Sequence, residues 1–157
     1  MGVQQTRRER LRDLERQNLS QLLRMPYQAF IAELHARLAD AGYPDIRPAH
    51  GIVFQHLRAE GVRVTELAER AQLTKQYIGT LVADLLARGY LERVPDPADG
   101  RAKLVRMTER GWELTRVAEA IIAELEAGWV ERVGPQRLKQ LRHRLEHLIL
   151  ALDHRLP

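Results

Sequence analysis

The chain has no cysteine in 157 residues. A structural disulfide, a thiolate zinc site and a cysteine redox switch are therefore all excluded. No apolar run approaches the ~20 residues of a membrane span. The opening MGVQQTRRERLRDLERQ is too polar for a secretory signal, so a soluble cytoplasmic protein is expected. There is no HExxH, no phosphate-binding glycine loop and no Ser-His-Asp set, and the polar residues converge on no recognisable chemistry. Internal repeats and low-complexity linkers are missing too, so one domain spanning 1–157 is the simplest organisation.

What is present is a hydrophobic fraction of 45%, enough for a core, and 25 Lys+Arg against 21 Asp+Glu, a net charge of +4. This mild basicity suits a nucleic-acid partner without demanding one. From Arg7 the residues favour helix, with Leu11, Leu14, Leu22 and Leu23 near helical spacing. Pro26 predicts a restart or kink. Phe30, Ile31, Leu34 and Leu38 then mark an apolar face that ends at Ala41-Gly42. A loop with two prolines follows, and Pro48 opens a helix bearing Ile52, Val53, His56 and Leu57, closed by Gly61.

The most informative stretch is Val64 to Arg106. After a β-prone Val62-Arg63-Val64, Thr65 is placed as a helix N-cap ahead of Leu67, Ala68 and Ala71. The small Ala68 allows a second helix to cross closely. Gln72-Leu73 makes a turn, and Thr74 caps the next helix. Ile78, Leu81, Val82, Leu85 and Leu86 form a one-sided stripe there. The opposite face carries Lys75, Gln76, Gly79, Thr80 and Ala83, small and polar, suited to a DNA major groove. Gly89 ends the helix. Tyr90 to Val94 alternates like a strand, Pro95 to Gly100 is a turn signal, and Arg101 to Met107 resumes strand character. A hairpin directly after a helix-turn-helix is a wing, with Asp99, Gly100 and Arg101 at its tip.

Thr108 caps a long helix with Leu114, Val117, Ala118, Ile121, Ile122 and Leu125, continued by Trp129 and Val133. Gly134-Pro135 interrupts it. Leu138, Leu141, Leu145, Leu148 and Leu152 then repeat in a heptad-like seam, widened by Ile149. The fold expected is mainly α, with a small β part (α+β): a winged helix-turn-helix with a two-stranded β-wing, flanked by long N- and C-terminal helices.

The pieces LTKQYIGTLVADLLARGYLERV, DPADGRAK and TERG, in that order and spacing, give a chain that resembles the MarR family of bacterial transcription regulators, over about Leu19 to Leu152. The resemblance implies a homodimer, with residues 7–42 and 112–157 forming dimerisation helices and 46–111 the winged DNA-binding region. It implies a two-fold reader of a double-stranded, pseudo-palindromic operator, a ligand-responsive repressor in function. The stretch before about residue 18 has no assigned role.

Within that frame Gln76 and Thr80 are candidates for base edges, with Thr74 opening the same helix. Lys75, Tyr77 and Thr65 are candidates for phosphate contact. The resemblance places Arg101 in the minor groove, where the negative potential attracts a guanidinium. Asp99 orients Arg101 or holds the loop, and Lys103 adds a phosphate contact. The competing reading makes these ordinary solvated residues, with Arg101 paired to Asp96 or Asp99.

Family members often bind small aromatic or phenolic effectors between the dimer region and the winged unit. Phe30, Leu34, His50, Phe54 and Trp112 are the candidates here, against plain core packing. His143 and His147 lie one helical turn apart, but a zinc site needs more ligands and Glu146 falls off their face, so no metal and no cofactor is expected. The alternative to a DNA reader is a winged-helix protein-interaction module, which the basic wing tip argues against. An enzyme is disfavoured because no catalytic set is visible.

Overall fold

The computed structural model describes residues 7–152, and within them the chain forms seven α-helices and one antiparallel hairpin. In chain order these are α1 (Arg7–Glu15), α2 (Leu19–Asp40), a 3-10 turn at Pro48–His50, α3 (Gly51–His56), α4 (Val64–Arg70), α5 (Lys75–Ala87), β1 (Leu91–Asp96), β2 (Asp99–Met107), α6 (Glu109–Val133) and α7 (Pro135–Leu152). The mainly α winged helix-turn-helix with a two-stranded wing is therefore the observed architecture.

The first departure from the expected elements is at the N-terminal helices. α2 runs unbroken through Pro26, so the helix does not restart there. Residues 22 to 29 are exposed throughout, leaving water free to serve the carbonyl that the proline deprives of a donor. The real break lies before Leu19. Asn18 caps α2 by accepting from the Gln21 backbone N–H, while the Asn18 N–H donates to the Gln21 side chain at 3.1 Å. This reciprocal box is written in the sequence as Asn-Leu-Ser-Gln.

One contiguous core joins the second half of α2 to the winged unit and to α6. Leu34 and Leu38 meet Val53, Leu67, Ala68, Ile78, Leu81, Val82 and Leu85, and the cluster continues through Tyr90, Leu91, Val105 and Met107 to Leu114, Ile121 and Leu125. α2 lies antiparallel to α6. Arg37 Nη1 bonds Glu124 Oε2 at 3.0 Å, and Phe30 meets Trp129 edge-on with ring centroids 5.3 Å apart. α7 folds back along α6, with Arg142 paired to Glu126 at 3.2 Å, yet it contributes no buried residue. α3 is short: it ends at His56 rather than at Gly61.

The wing connects closely to α6. Tyr90 O accepts from both the Thr108 backbone N–H and its hydroxyl, each at 3.1 Å. A Cβ on Gly111 would collide with that same Tyr90 carbonyl and crowd Met107, so only glycine lets the start of α6 approach the strand.

Candidate nucleic-acid interface

α5 presents two unlike faces. Ile78, Leu81, Val82 and Leu85 are buried against the core, while Lys75, Gln76, Tyr77, Thr80 and Ala83 are exposed. Thr74 caps the helix as expected, its hydroxyl accepting from the Tyr77 N–H at 3.2 Å. The Thr80 hydroxyl donates to the Gln76 carbonyl at 3.0 Å, so toward a base edge it offers its oxygen as an acceptor. Gln72 supplies the turn between α4 and α5 with a left-handed φ of 49°. Its N–H reaches Glu69 O at 3.1 Å and the next N–H, of Leu73, reaches Ala68 O at 3.0 Å, closing α4 as a Schellman motif.

Thr65 is not the cap of α4. That position belongs to Arg63, whose backbone is extended and whose side chain makes no capping bond. Val62 alone of the β-prone run pairs as a strand, bridging Val105, because α4 already begins at Val64. Thr65 stands exposed in the first turn of α4.

The wing is tighter than the turn signal suggested. β1 extends to Asp96, which pairs with Asp99 across a two-residue turn, Pro97-Ala98. The next pair is Pro95 with Lys103, so Gly100, Arg101 and Ala102 are extra residues on β2. Such bulges redirect a side chain and bend the strand. Asp99 accepts the Arg101 backbone N–H at 3.1 Å and so holds the loop. Asp96 is engaged elsewhere, by Arg63 Nε at 2.6 Å, and Asp99 Oδ2 lies 3.6 Å from Arg63 Nη2. Neither carboxylate takes the Arg101 side chain. Lys75, Arg101 and Lys103 all lack an ion pair among the described residues, unlike most of the surrounding arginines. All nine residues singled out for DNA are exposed, six on the helix-turn-helix and three on the wing.

Sequence reasoning did not find the network that fixes the back of α5. His50 is fully buried. Its Nδ1 accepts the Arg47 N–H at 3.2 Å, which leaves Nε2–H to donate to Asp84 Oδ2 at 2.9 Å. Burial holds the imidazole below its ordinary value, against the raising effect of Asp84. Asp84 also takes Arg88 Nε at 2.8 Å, the main cause of its lowered pKa. Buried Tyr90 donates to Asp45 at 2.8 Å, and its ring lies 4.5 Å beneath the Arg110 guanidinium. Burial alone would raise Asp45, but the bonds from Tyr90, the backbone and Arg88 outweigh it and lower its pKa. His50 with Asp84 and Tyr90 with Asp45 are 34 and 45 residues apart in the chain, beyond any local sequence signal.

The five effector candidates differ in their surroundings. Leu34 and His50 are buried, and Phe30, Phe54 and Trp112 pack onto the core. Phe30 alone lines a cleft of about 290 Å³ between α2 and α6, with Glu33, Arg37, Trp129 and Arg132 among its other walls. On α7, His143 and His147 face each other with Nε2 atoms 3.1 Å apart. Glu146 does reach that pair, 3.9 Å from His143 Nδ1, correcting the expectation that it points away.

The family model described as the MarR family matches residues 45–102, from the loop before α3 to the bulge of the wing. That segment of the chain is thus similar to the MarR family. Similar MarR-type regulators include the exopolysaccharide II synthesis transcriptional activator ExpG of Rhizobium meliloti, 26% identical over 132 residues, 82% of this chain and 68% of that protein. The HTH-type transcriptional repressor Rv2887 of Mycobacterium tuberculosis is 28% identical over 91 residues, 58% of this chain and 66% of that one. Among solved structures, CouR from Rhodococcus jostii RHA1 bound to p-coumaroyl-CoA superposes with a TM-score of 0.64 at 26% identity, covering 83% and 91% of the two chains. The protein thus resembles DNA-binding transcriptional regulators of the MarR type, a family of regulators rather than enzymes. No helix among the described residues is long and apolar enough to cross a membrane.

Proposed function

We propose that this protein acts as a homodimeric, ligand-responsive repressor of the MarR type on a pseudo-palindromic operator. The observation that carries the dimer is the bare apolar surface of α2 and α7. Leu141, Ile149 and Leu150 are 48%, 54% and 69% exposed, and Leu19, Met25 and Tyr27 on α2 are similarly open. An amphipathic helix with its seam uncovered needs a second surface, and a copy of the same chain supplies a self-complementary one. Residues 7–42 and 112–157 would then form the dimer region and 46–111 the DNA-binding unit. Each protomer would set α5 in a major groove, with Gln76 and Thr80 at base edges and Thr65, Thr74, Lys75 and Tyr77 at phosphates. Arg101, unpaired on its bulge, would enter the minor groove, with Lys103 on the backbone.

Two relatives carry the names activator and repressor, and the repressor reading follows the second. CouR is bound to an aromatic acyl thioester, which supports an aromatic effector here, with the cleft beside Phe30 the first place to look. DNA from upstream of the protein's own gene, titrated by fluorescence anisotropy over a salt series, tests the reading. Sequence-selective binding with a steep salt dependence is expected. Replacing Arg101 with Ala should weaken it roughly tenfold or more while the dimer mass is retained. Sequence-blind, micromolar binding would sink the proposal in favour of a protein-docking role. Leu145→Arg should convert the dimer to monomer in sedimentation, and a stable dimer would refute the placement of α7.

A further inference from the structure

We infer that Arg63 is a positioning residue for DNA binding: it clamps the base of the wing to the start of α4 and thereby fixes where Arg101 projects. The inference rests on the wing reading above. Arg63 occupies an N-cap position but gives α4 no side-chain cap; its guanidinium turns to the wing instead. There it meets a problem built into the hairpin. Asp96 and Asp99 are direct partners across the ladder, and like charges facing each other on a strand pair repel.

Arg63 sits against both carboxylates. Its Nε and Nη2 hold Asp96 Oδ2 at 2.6 and 2.5 Å, and Nη2 lies 3.6 Å from Asp99 Oδ2. The remaining oxygen of each carboxylate is committed to the turn. Asp96 Oδ1 accepts the Ala98 N–H at 2.9 Å, and Asp99 Oδ1 accepts the Arg101 N–H at 3.1 Å. The guanidinium is thus linked through Asp96 to the backbone of Ala98 and through Asp99 to that of Arg101. Asp96 is only 7% exposed, so its charge has little water to fall back on when the guanidinium is removed. The other end of the clamp is equally fixed, because the neighbouring Val62 exchanges both backbone bonds with Val105, at 2.9 and 3.0 Å. The second basic residue of the wing, Lys103, pairs opposite Pro95 just below the clamp, so the register of both cations depends on it.

The test is a mutant cycle on the full-length protein, reading affinity for DNA upstream of its own gene, its salt slope, and trypsin cleavage after Arg101 in the absence of DNA. Arg63→Ala should lower affinity about as far as Arg101→Ala, and the double variant should be no weaker than Arg101→Ala alone, because both remove the same contact. Cleavage after Arg101 should quicken several-fold in Arg63→Ala, with cleavage in α6 unchanged. Asp96→Asn removes the charge that holds the guanidinium but leaves Arg63 itself in place, so it should reproduce both effects, and it stands in should Arg63→Ala fold poorly. If Arg63→Ala weakens binding equally in the Arg101→Ala background and flattens the salt slope by about 0.9, Arg63 is itself a phosphate contact and the clamp is refuted. A loss with Arg101→Ala but none with Arg63→Ala or Asp96→Asn also overturns the clamp, leaving the wing reading intact. If Arg101→Ala itself has no effect, the wing reading fails first.

Discussion

Gln72 should be worth replacing with glycine. It is an L-residue at φ 49°, in the position of the Schellman motif where glycine is the usual occupant. Left-handed backbone costs an L-residue roughly 1–2 kcal/mol, whereas the extra chain entropy that glycine loses on folding is about 0.5–1 kcal/mol. The Gln72 side chain is exposed and makes no hydrogen bond among the described residues, so removing it forfeits no contact. Gln72→Gly should therefore stabilise the fold by about 0.5–1 kcal/mol, a melting shift of roughly 1–4 °C for a chain of this size. Gln72→Val, branched at Cβ, should shift it the other way by a similar amount. Thermal and urea unfolding at one fixed protein concentration provide the assay, since the proposed association would contribute to apparent stability. An unchanged or lowered midpoint for Gln72→Gly, with the urea slope unaltered, would mean that the turn is not strained and the reasoning is wrong.

Stability should also fall in acid, starting earlier than carboxylates alone would allow. His50 is held neutral below its ordinary value of 6.5, so the unfolded chain binds a proton that the folded chain does not, and its contribution is lost as pH drops below about 6.5. Asp45, Asp84 and Asp96 have folded pKa values below 3.8, so their contribution persists until the carboxylate range and is lost beneath it. Urea midpoints between pH 5 and 8 should fall with acidity in the native protein and stay nearly flat in His50→Gln; an equal fall in both would clear His50 of the effect. Gly111→Ala should cost about 1–3 kcal/mol through the Tyr90 carbonyl, a loss visible by calorimetry, and a neutral result would show that α6 can back away from the strand.

The elements that sequence reasoning located are those with a short-range signature. The stripe of Ile78, Leu81, Val82 and Leu85 repeats at helical spacing, and Thr74 and Thr108 each stand just ahead of such a stripe and do cap it. Errors arose where two local signals competed. Pro26 looked decisive, although the Asn18 to Gln21 box was the stronger boundary. Val-Arg-Val looked like a strand, but helix geometry claims Val64 and leaves only Val62 to pair. The residues proposed to face DNA could be picked out because each is a polar position on an element with a recognisable buried side, and all of them are exposed. The supports behind them were not, since His50–Asp84 and Arg63–Asp96 join residues 34 and 33 apart, brought together only by the packed core.

The proline in β1 has a consequence beyond the hairpin. β2 is flanked by Val62 on one side and β1 on the other, which leaves β1 as the outer strand of the wing. A free strand edge invites another chain to add itself. Pro95 offers no N–H, and the residues extra to β2 end regular pairing just beyond it. The wing is thus kept from sticking to its own kind by the same short stretch that sets Arg101 apart from the ladder.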